Sequence, residues 1–362
     1  MRAAPDERGD FAARVIAWQR RHGRHDLPWQ GTRDPYRVWL SEIMLQQTQV
    51  TTVLAYYPRF LQRFADVAAL AQASEDEVLA LWSGLGYYSR ARQLHRCAQR
   101  VVADFGGQFP AQAAELATLP GIGRSTAAAI AAFCFGERSA ILDGNVKRVL
   151  ARVWAVDDDL AQAAAVRALW ERAESVLPTT RLRTSMPAYT QGLMDLGATV
   201  CLPRQPQCGR CPLASGCRAH LQGNPQRYPV KIRKAAPRPV VALWLLHAVD
   251  EQGRVWLQRR PPHGIWAGLH CLPAFDTRAQ ALHGLAQAGQ ASVVEHPPFT
   301  HILTHRKLHI HVMSGVVKSA TALGEAGAWF AASDWPRLGL PAPVRRFLSQ
   351  PEVSACPARG GA

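Results

Sequence analysis

Four cysteines follow one another closely in the chain, at Cys201, Cys208, Cys211 and Cys217, with six, two and five residues between them. Four thiols in so short a stretch require a loop, and together they can ligate a single metal centre. A disulfide framework is disfavoured, because we find no secretory leader and such frameworks spread their cysteines across small extracellular domains. The spacing therefore predicts a metal-binding loop.

The arrangement of the cysteines distinguishes two kinds of metal centre. Zinc sites usually combine two Cys-x2-Cys pairs, whereas here the single pair Cys208 and Cys211 has a lone cysteine on each side. This arrangement favours a [4Fe-4S] cluster held by four thiolates, with structural zinc as the alternative. The remaining cysteines are scattered, and we interpret them as ordinary thiols: Cys97, Cys134, Cys271 and Cys356.

The charge of the chain indicates a polyanionic partner. It has 42 Lys and Arg against 27 Asp and Glu, a net charge of +15, which favours nucleic acid, although an arginine-rich GC-biased genome explains part of the excess. Its 362 residues can form two or three cores. No apolar run approaches the ~20 residues of a membrane span. The charged stretch at residues 1–10 lacks the apolar core of a signal peptide.

A helical pattern dominates the first part of the chain. From Phe11 to about His220, apolar residues recur at intervals of three and four and are interrupted by Gly and Pro. We therefore predict a mainly α-helical domain over residues 1–222. The next segment, residues 223–239 (GNPQRYPVKIRKAAPRP), is rich in proline and basic residues and contains no acid. Such a composition is typical of an extended linker.

After the linker the apolar period changes to two. VVALWLLHAV, a DEQG turn and RVWLQRR predict a β-hairpin, and KLHIHVMSGVV from Lys307 predicts a further strand. Residues 277–288 have a helical pattern. We therefore predict a small α+β domain over residues 240–350, followed by a disordered tail at residues 351–362.

LPGIGRSTAAAIAAF, at residues 119–133, follows a short helical segment and begins a longer one. Gly121 and Gly123 allow a tight turn whose amide hydrogens point outward at a helix N-terminus, where a phosphate oxygen can bind. The pattern predicts a helix-hairpin-helix that contacts the DNA backbone. A plain helix-turn-helix packing corner is the structural alternative.

Two carboxylates are candidates for glycosidic bond cleavage. Asp143, in LDGNVKRVL, precedes a basic helix and could stabilise the positive charge that develops on a deoxyribose in an oxocarbenium-like transition state. It could instead be a solvent-exposed N-cap, a role that Asn145 could also fill. Glu42, in WLSEIMLQQTQV, has many apolar neighbours, which would raise its pKa and make it a proton donor. Spacing alone also allows Glu42 to lie on a wet helix face.

Together these motifs resemble those of the MutY adenine DNA glycosylases, relatives of endonuclease III. The resemblance extends from residue 11 to about 315, and it is carried by LPWQ, SEIMLQQTQV, GLGYYSRAR, LPGIGRSTA, LDGNVKRVL and the cysteine loop. It implies a helix-hairpin-helix glycosylase domain with a [4Fe-4S] loop and a Nudix-like C-terminal domain. The implied substrate is double-stranded DNA in which adenine is mispaired with 8-oxoguanine or guanine. We accordingly expect a monomeric, cytoplasmic bacterial protein that associates with the nucleoid and not with membranes.

The resemblance also implies residue roles. Glu42 would protonate the adenine leaving group and help to handle the attacking water, and Asp143 would stabilise the sugar cation, with Asn145 orienting it. Gln47 and Tyr87 match residues that enter the duplex near the lesion while the adenine is flipped out. For Tyr87, a half-buried packing role is the alternative.

Position 125 bears on the reaction type. In endonuclease III the corresponding residue is a lysine that attacks the sugar and nicks the strand, whereas this chain has Ser125. A hydroxyl cannot form a Schiff base, so we predict a monofunctional glycosylase that leaves an intact abasic site. Gln191 is implied to line the adenine pocket. The alternatives are a bifunctional glycosylase and lyase for oxidised pyrimidines and a non-catalytic iron-sulfur protein that binds DNA.

The C-terminal domain resembles the Nudix fold, most clearly at residues 259–273. Nudix hydrolysis needs glutamates that hold Mg²⁺, and none occurs between Glu251 and Glu295. The domain should therefore bind without hydrolysing. The resemblance implies that Thr304 and His305 recognise 8-oxoguanine, next to Leu303 where relatives often have an aromatic residue.

Overall fold

The chain forms two compact units. The computed structural model describes residues 7–230, 237–288, 293–317, 323 and 327–354. Contacts between residues group Met1–Gln72 with Gln93–Lys234 in the first unit, and Ala73–Arg92 with Ala235–Ala362 in the second. Among the described residues, no helix is both long and apolar enough to cross a bilayer.

The first unit is helical. Its helices are α1 Glu7–His22, α2 Pro35–Leu45, α3 Val50–Arg63, α4 Val67–Gln72, the part of α6 Tyr88–Phe105 from Gln93 onward, α7 Ala113–Leu116, α8 Arg124–Ile130, α9 Gly144–Val153, α10 Ala163–Ser175, α11 Leu182–Asp195 and α12 Arg218–Leu221. Short 3-10 turns at Cys208–Arg210, Ala214–Gly216 and Pro225–Arg227 complete the cysteine loop and the chain that follows it.

Amphipathic spacing explains how these helices pack. On α9, Val146, Val149 and Leu150 are at most 2% exposed, whereas Lys147 and Arg148 between them are half-buried. This face joins an apolar core that also includes residues of α1, α8 and α11. Burial of such faces is the main source of helix stability in proteins.

Two helices of the first unit continue as π-helical turns. Ala131–Phe135 follows α8 and Leu196–Val200 follows α11. π-helical turns occur frequently at functional sites because they displace the helix surface locally. Here they lie next to α2 and α9, which carry the two candidate carboxylates.

The second unit is built on a mixed sheet. Its strands are β1 Val240–Val249, β2 Val255–Arg259, β3 His270–Cys271, β4 Ala274–Phe275, β5 Val294–Glu295, β6 Phe299–Ile302, β7 Lys307–Val316 and β8 Gly327–Phe330. β1 pairs with β7 in parallel along its whole length, from Val240 opposite Lys307 to Val249 opposite Val316, and the other pairings are antiparallel. The predicted β1–β2 hairpin and the predicted strand from Lys307 are both present.

Helices of the second unit are α5 Glu75–Trp82, the start of α6, α13 Arg278–Gln287, α14 Ala342–Leu348 and α15 Pro351–Ser354. α13 begins with a capping box at Thr277 and packs on Leu246, Met313 and their neighbours on one sheet face. The helical first unit and the α+β second unit confirm the predicted fold class.

Residues 73–92 lie in the second unit, although their helical pattern led us to include them in the range 1–222. The hydroxyls of Ser83 and Tyr88 donate to the carbonyl of Leu340 at 3.2 and 3.0 Å. The guanidinium of Arg92 donates to the carbonyl of Ala267 at 2.6 Å. Local periodicity predicts a helix but does not show which core the helix joins.

Parts of two predicted segments lie outside the described residues. Residues 231–236 of the predicted linker, 223–239, are not among the described residues. Tyr228, a few positions earlier in the same predicted linker, is buried. Residues 355–362 of the predicted tail, 351–362, also lie outside the described residues, and they include Cys356. The first four residues of the predicted tail form α15.

Candidate active site

Glu42 lies on α2 and lines a cavity in the first unit. The cavity has a volume of about 470 Å³, within the range of roughly 300–1,000 Å³ that is usual for small-molecule sites. Other side chains around it include Arg24, Trp29, Phe133 and Gln191. The cavity is therefore large enough for a purine base and combines apolar walls with a few polar groups.

Burial, followed by the negative charge of Asp143, raises the pKa of Glu42 to about 8. A carboxyl group with such a pKa carries its proton at neutral pH and can donate it. The fold brings the two candidate carboxylates to the same region, although 101 positions (143 − 42) separate them in the sequence: α2 packs against α8, and the Ser125 hydroxyl of α8 accepts from the backbone N–H of Leu142, next to Asp143. The structure does not support the alternative in which Glu42 lies on a solvent-exposed face of its helix.

Asp143 is the N-cap of α9. Its Oδ1 accepts a hydrogen bond from the backbone N–H of Val146 at 2.7 Å, so the capping interpretation of Asp143 is correct and compatible with a position in the site. Burial raises the pKa of Asp143, whereas the backbone N–H groups of Val146 and Asn145 and the charges of Arg148 and Lys147 oppose the rise. The opposing groups favour the carboxylate form of Asp143 next to a protonated Glu42.

Asn145 contributes to this cap through its backbone, and its side chain has another partner. The Asn145 Oδ1 accepts from Arg148 Nη2 at 2.8 Å. The same guanidinium donates to the carbonyls of Gly197 at 2.6 Å and Cys201 at 2.8 Å. Arg148 thus connects the first turn of α9 with the start of the cysteine loop.

The predicted hairpin connects α7 and α8. Gly121 has a φ of +75°, which favours glycine, and a Cβ there would lie 2.8 Å from the Cβ of Gln93. Gly123 is the N-cap of α8, and open space surrounds its Cα. Ser125, in the first turn of α8, accepts the backbone N–H of Leu142 through its Oγ at 3.0 Å. Ser125 therefore supports the residue immediately before Asp143.

The four cysteines of the loop line a single cavity beside α9. None of the four is part of a disulfide. Within the described residues, no group of three or more His, Cys, Asp or Glu side chains is arranged to hold one metal ion. The donor set is all sulfur, which suits an iron-sulfur cluster, and the thiols surround a space instead of meeting at one point.

The buried side chain of Arg152 holds the cysteine loop in place through hydrogen bonds. It is 2% exposed, and its guanidinium donates to the carbonyls of Leu202, Pro203 and Tyr228 at 2.7, 2.9 and 3.0 Å. It also lies 3.2 Å from the Cys201 Sγ, close enough to donate to a thiolate. A buried arginine that satisfies several backbone carbonyls stabilises an otherwise irregular loop.

Two residues beside the cavity, Arg24 and Asp195, were not predicted from the sequence. Asp195 is completely buried, and its carboxylate accepts from Arg24 and from the Nε2 of Gln191. Gln191 and Asp195 are four positions apart on α11. That spacing could have suggested contact between them, but only the fold brings Arg24 to the same place.

Gln47 and Tyr87 share a backbone feature. Both are non-glycine residues with positive φ, +58° and +49° respectively, and Tyr87 is 41% exposed. Such strained conformations are found preferentially at functional sites. Gln47 follows α2 in the first unit, and Tyr87 precedes α6 in the second.

Thr304 and His305 are exposed at the turn between β6 and β7. The hydroxyl of Thr304 donates to the hydroxyl of Tyr87 at 2.7 Å, and the Thr304 carbonyl accepts from the Nε of Arg238 at 3.0 Å. The second unit thus brings together Tyr87 and Thr304, two predicted DNA-binding residues that are distant in sequence.

A helix-hairpin-helix, a purine-sized cavity lined by Glu42 and a second carboxylate, Asp143, near Glu42 together define a DNA glycosylase of the base excision class, and comparison with known proteins agrees. The family model for "HhH-GPD superfamily base excision DNA repair protein" matches residues 40–175, and that for the NUDIX domain matches residues 244–350. The adenine DNA glycosylase of Buchnera aphidicola (subsp. Baizongia pistaciae) is 34% identical over 94% of this chain and 96% of its own length. The chain therefore belongs to the adenine DNA glycosylase family.

Two further comparisons each cover a little more than half of this chain. The human adenine DNA glycosylase is 43% identical over 58% of this chain and 39% of its own length. The solved structure of a thermostable thymine-DNA glycosylase has a TM-score of 0.52 and 29% identity, and the match covers 59% of this chain and 97% of that one. The predicted family and activity are confirmed: the protein is a DNA-binding base excision glycosylase that acts on adenine.

Proposed function

We propose that the enzyme hydrolyses the N-glycosidic bond of adenine mispaired with 8-oxoguanine or guanine and leaves an intact abasic site. The observation that carries the proposal is the pairing of Glu42 and Asp143. One carboxyl group has its pKa raised to about 8 in a purine-sized cavity, and the other lies near it and is capped by backbone N–H groups.

The two carboxyl groups divide the chemistry. Glu42 donates its proton to a ring nitrogen of adenine, which becomes a neutral leaving group when the bond between the sugar and the base breaks. The Asp143 carboxylate stabilises the positive charge that remains on the sugar. Water then adds to the sugar carbon and gives up a proton, for which the ionised Glu42 is the acceptor. The atoms balance, because adenine leaves with one hydrogen and the sugar gains the hydroxyl.

Ser125 supports a monofunctional reaction. Its hydroxyl accepts the N–H of Leu142 and brings no amine to the sugar. Without an amine nucleophile at this position, no Schiff base forms there and the strand stays intact.

The second unit supports recognition of the opposite base. Thr304 and His305 are exposed at the tip of one hairpin, and Thr304 contacts Tyr87. Hydroxyl and imidazole groups can hydrogen-bond the modified edge of 8-oxoguanine, while an aromatic ring can stack in the opened duplex. Gln47 would act similarly from the first unit.

The cysteine loop is proposed to hold a [4Fe-4S] cluster through Cys201, Cys208, Cys211 and Cys217. When bound, the cluster would supply a rigid support for the loop and no chemistry on the base. Exposed arginines of the loop can then meet DNA phosphates: Arg204, Arg210 and Arg218. In a Cys208→Ser variant we expect the visible absorbance of the cluster, solubility and DNA binding to be lost together. A soluble variant without that absorbance but with normal DNA binding would refute the structural role.

One chain supplies both carboxylates and the cavity, which supports action as a monomer. Because the substrate is DNA, we place the enzyme on the nucleoid in the cytoplasm. Sedimentation of the protein with and without duplex DNA tests the monomer: an assembly larger than one chain per lesion would contradict it.

A single-turnover assay tests the activity itself. Duplexes carry adenine opposite 8-oxoguanine, guanine or thymine, and the products are resolved before and after alkali. We expect adenine release opposite 8-oxoguanine and more slowly opposite guanine, with strand breaks only after alkali. The Glu42→Gln variant is the control for the proton donor. Breaks before alkali would contradict a monofunctional reaction, and equal rates on all duplexes would contradict recognition of the opposite base.

A further inference from the structure

The carboxylate of Asp195 is 0% exposed and has a full set of donors. Its Oδ2 accepts the backbone N–H of Arg24 at 2.9 Å. Its Oδ1 accepts from the Nε and Nη2 of Arg24, both at 2.7 Å, and from the Nε2 of Gln191 at 2.9 Å. The Arg24 guanidinium compensates the charge of the carboxylate at this buried position.

This contact determines which way the Gln191 carboxamide points. An ionised carboxylate only accepts hydrogen bonds, so the amide must direct its NH₂ group toward Asp195. The reverse orientation would bring the amide oxygen against the carboxylate in a buried place, at a cost of a lost hydrogen bond and a repulsion. The Gln191 oxygen is thereby left as the polar atom that the residue offers to the cavity, which it lines together with Glu42.

Among the polar side chains that line the cavity, Glu42 and Gln191 then contribute one donor and one acceptor. Protonated Glu42 is the donor and the Gln191 oxygen is the acceptor. Adenine offers the complementary pair on one edge, because N7 accepts and the N6 amine donates. Guanine offers two acceptors on the same edge, N7 and O6, and hypoxanthine has the same 6-oxo group. A 6-oxopurine would place its oxygen against the Gln191 oxygen.

We propose that Asp195, held by Arg24, is a positioning residue that fixes the Gln191 carboxamide and so makes the cavity select adenine over 6-oxopurines. The proposal rests on the placement of the flipped adenine in this cavity. Sites that are built to hydrogen-bond a particular group reject analogues that lack it far more strongly than apolar pockets do.

The test compares adenine with hypoxanthine as the excised base in otherwise identical duplexes with 8-oxoguanine opposite. Single-turnover rates give the adenine to hypoxanthine ratio for the wild type and for Asp195→Ala. The alanine removes the acceptor that Arg24 and Gln191 share, so the Gln191 oxygen can instead accept from the freed Arg24 guanidinium, with the amide turned over. We expect the ratio to fall by roughly tenfold, the equivalent of one net hydrogen bond.

Two further variants separate positioning from general damage. In a Gln191→Ala background, Asp195→Ala should not change the ratio further, because the positioned group is gone. Thr199→Ala is the matched control: its hydroxyl donates to the Asp195 backbone carbonyl at 2.8 Å and not to the carboxylate, so the ratio should stay at the wild-type value.

The outcomes are distinguishable. A wild type that releases no adenine would refute the proposed function. A wild type that releases adenine, with an Asp195→Ala variant of unchanged ratio, would refute the role of Asp195 alone. If Asp195→Ala does not fold by circular dichroism, Gln191→Ala decides: a ratio unchanged in that variant also overturns the inference, and a reduced ratio supports it.

Discussion

Arg148 joins the Asn145 side chain to the backbone of Cys201, with one guanidinium nitrogen 2.8 Å from the Asn145 oxygen and another 2.8 Å from the Cys201 carbonyl oxygen. Asn145 lies in the first turn of the helix that Asp143 caps. Arg148 and Asn145 therefore connect the cysteine loop with the N-terminus of α9, where Asp143, the proposed sugar-stabilising carboxylate, is the cap. A displacement of the loop should alter the position of Asp143.

The Arg148→Met variant tests this link. It removes the three hydrogen bonds that the half-buried guanidinium donates. A hydrogen bond to a charged group contributes about 1.5–3 kcal/mol to the stability of the folded protein. We expect a loss of about 2–4 kcal/mol in the free energy of unfolding, allowing for non-additivity, and a lower single-turnover rate at saturating enzyme. The exposed Arg167 of α10, changed to Met, is the control. An Arg148→Met variant with wild-type rate and stability would show that the link has no effect on Asp143.

The raised pKa of Glu42 predicts the pH dependence of base release. The protonated form is the active one, and with a pKa of about 8 it is lost as the pH rises through 8. We expect the single-turnover rate to fall about tenfold per pH unit above that value, since one proton is lost. On the acid side the rate should fall as Asp143, whose pKa burial also raises, becomes protonated.

Glu42→Gln is the matching variant, because it keeps the shape and removes the proton donor. The rate should decrease by roughly 10²–10⁴, the usual contribution of general acid catalysis, while DNA binding is retained. A wild-type rate that does not fall as the pH rises above 8, measured with enzyme in excess, would contradict the role of Glu42 as the general acid.

The sequence predicted the features that depend on local pattern. The change of apolar period from three and four to two separated a helical part from a sheet part, and the DEQG turn placed the β1–β2 hairpin correctly. The glycines of the hairpin before α8 and the short cysteine spacing were recognisable because a tight turn and a common cavity each need specific residues at fixed intervals.

Features that depend on tertiary contacts were not predictable in this way. The helical segment at residues 73–92 joins the second unit through bonds to Leu340 and Ala267, which lie far along the chain. Likewise, nothing local marks Arg24 as the partner of Asp195. A buried ion pair between distant residues leaves no periodic signal, because each partner is a single charged residue in an otherwise ordinary helix or loop.

Gly121 and Gly123 provide a matched pair for the hairpin. Gly121→Ala should destabilise the protein by about 1–2 kcal/mol for the left-handed backbone alone, and by more because the new Cβ would lie 2.8 Å from the Gln93 Cβ. Gly123→Ala has no such conflict, since its φ is −83° and its surroundings are open.

Urea unfolding should therefore distinguish the two variants clearly. If Gly123 leaves room for a phosphate, Gly123→Ala should weaken DNA binding while its stability stays near the wild-type value. Equal destabilisation by both substitutions would contradict the turn geometry, and unchanged DNA binding in Gly123→Ala would contradict phosphate contact at this position.

The hydrogen bond between Thr304 and Tyr87 predicts an interaction energy that can be measured. Tyr87→Phe and Thr304→Val each remove one hydroxyl, and the double variant removes both. A hydrogen bond of this kind contributes about 0.5–1.5 kcal/mol net, so each single variant should bind a duplex with 8-oxoguanine up to about tenfold more weakly. The double variant should be little weaker than either single one, because both lose the same bond.

Fluorescence anisotropy on duplexes with 8-oxoguanine or guanine opposite a non-cleavable adenine analogue gives the four affinities. Strictly additive losses would show that the two hydroxyls act independently on DNA, and no loss in any variant would show that this contact does not contribute to lesion binding.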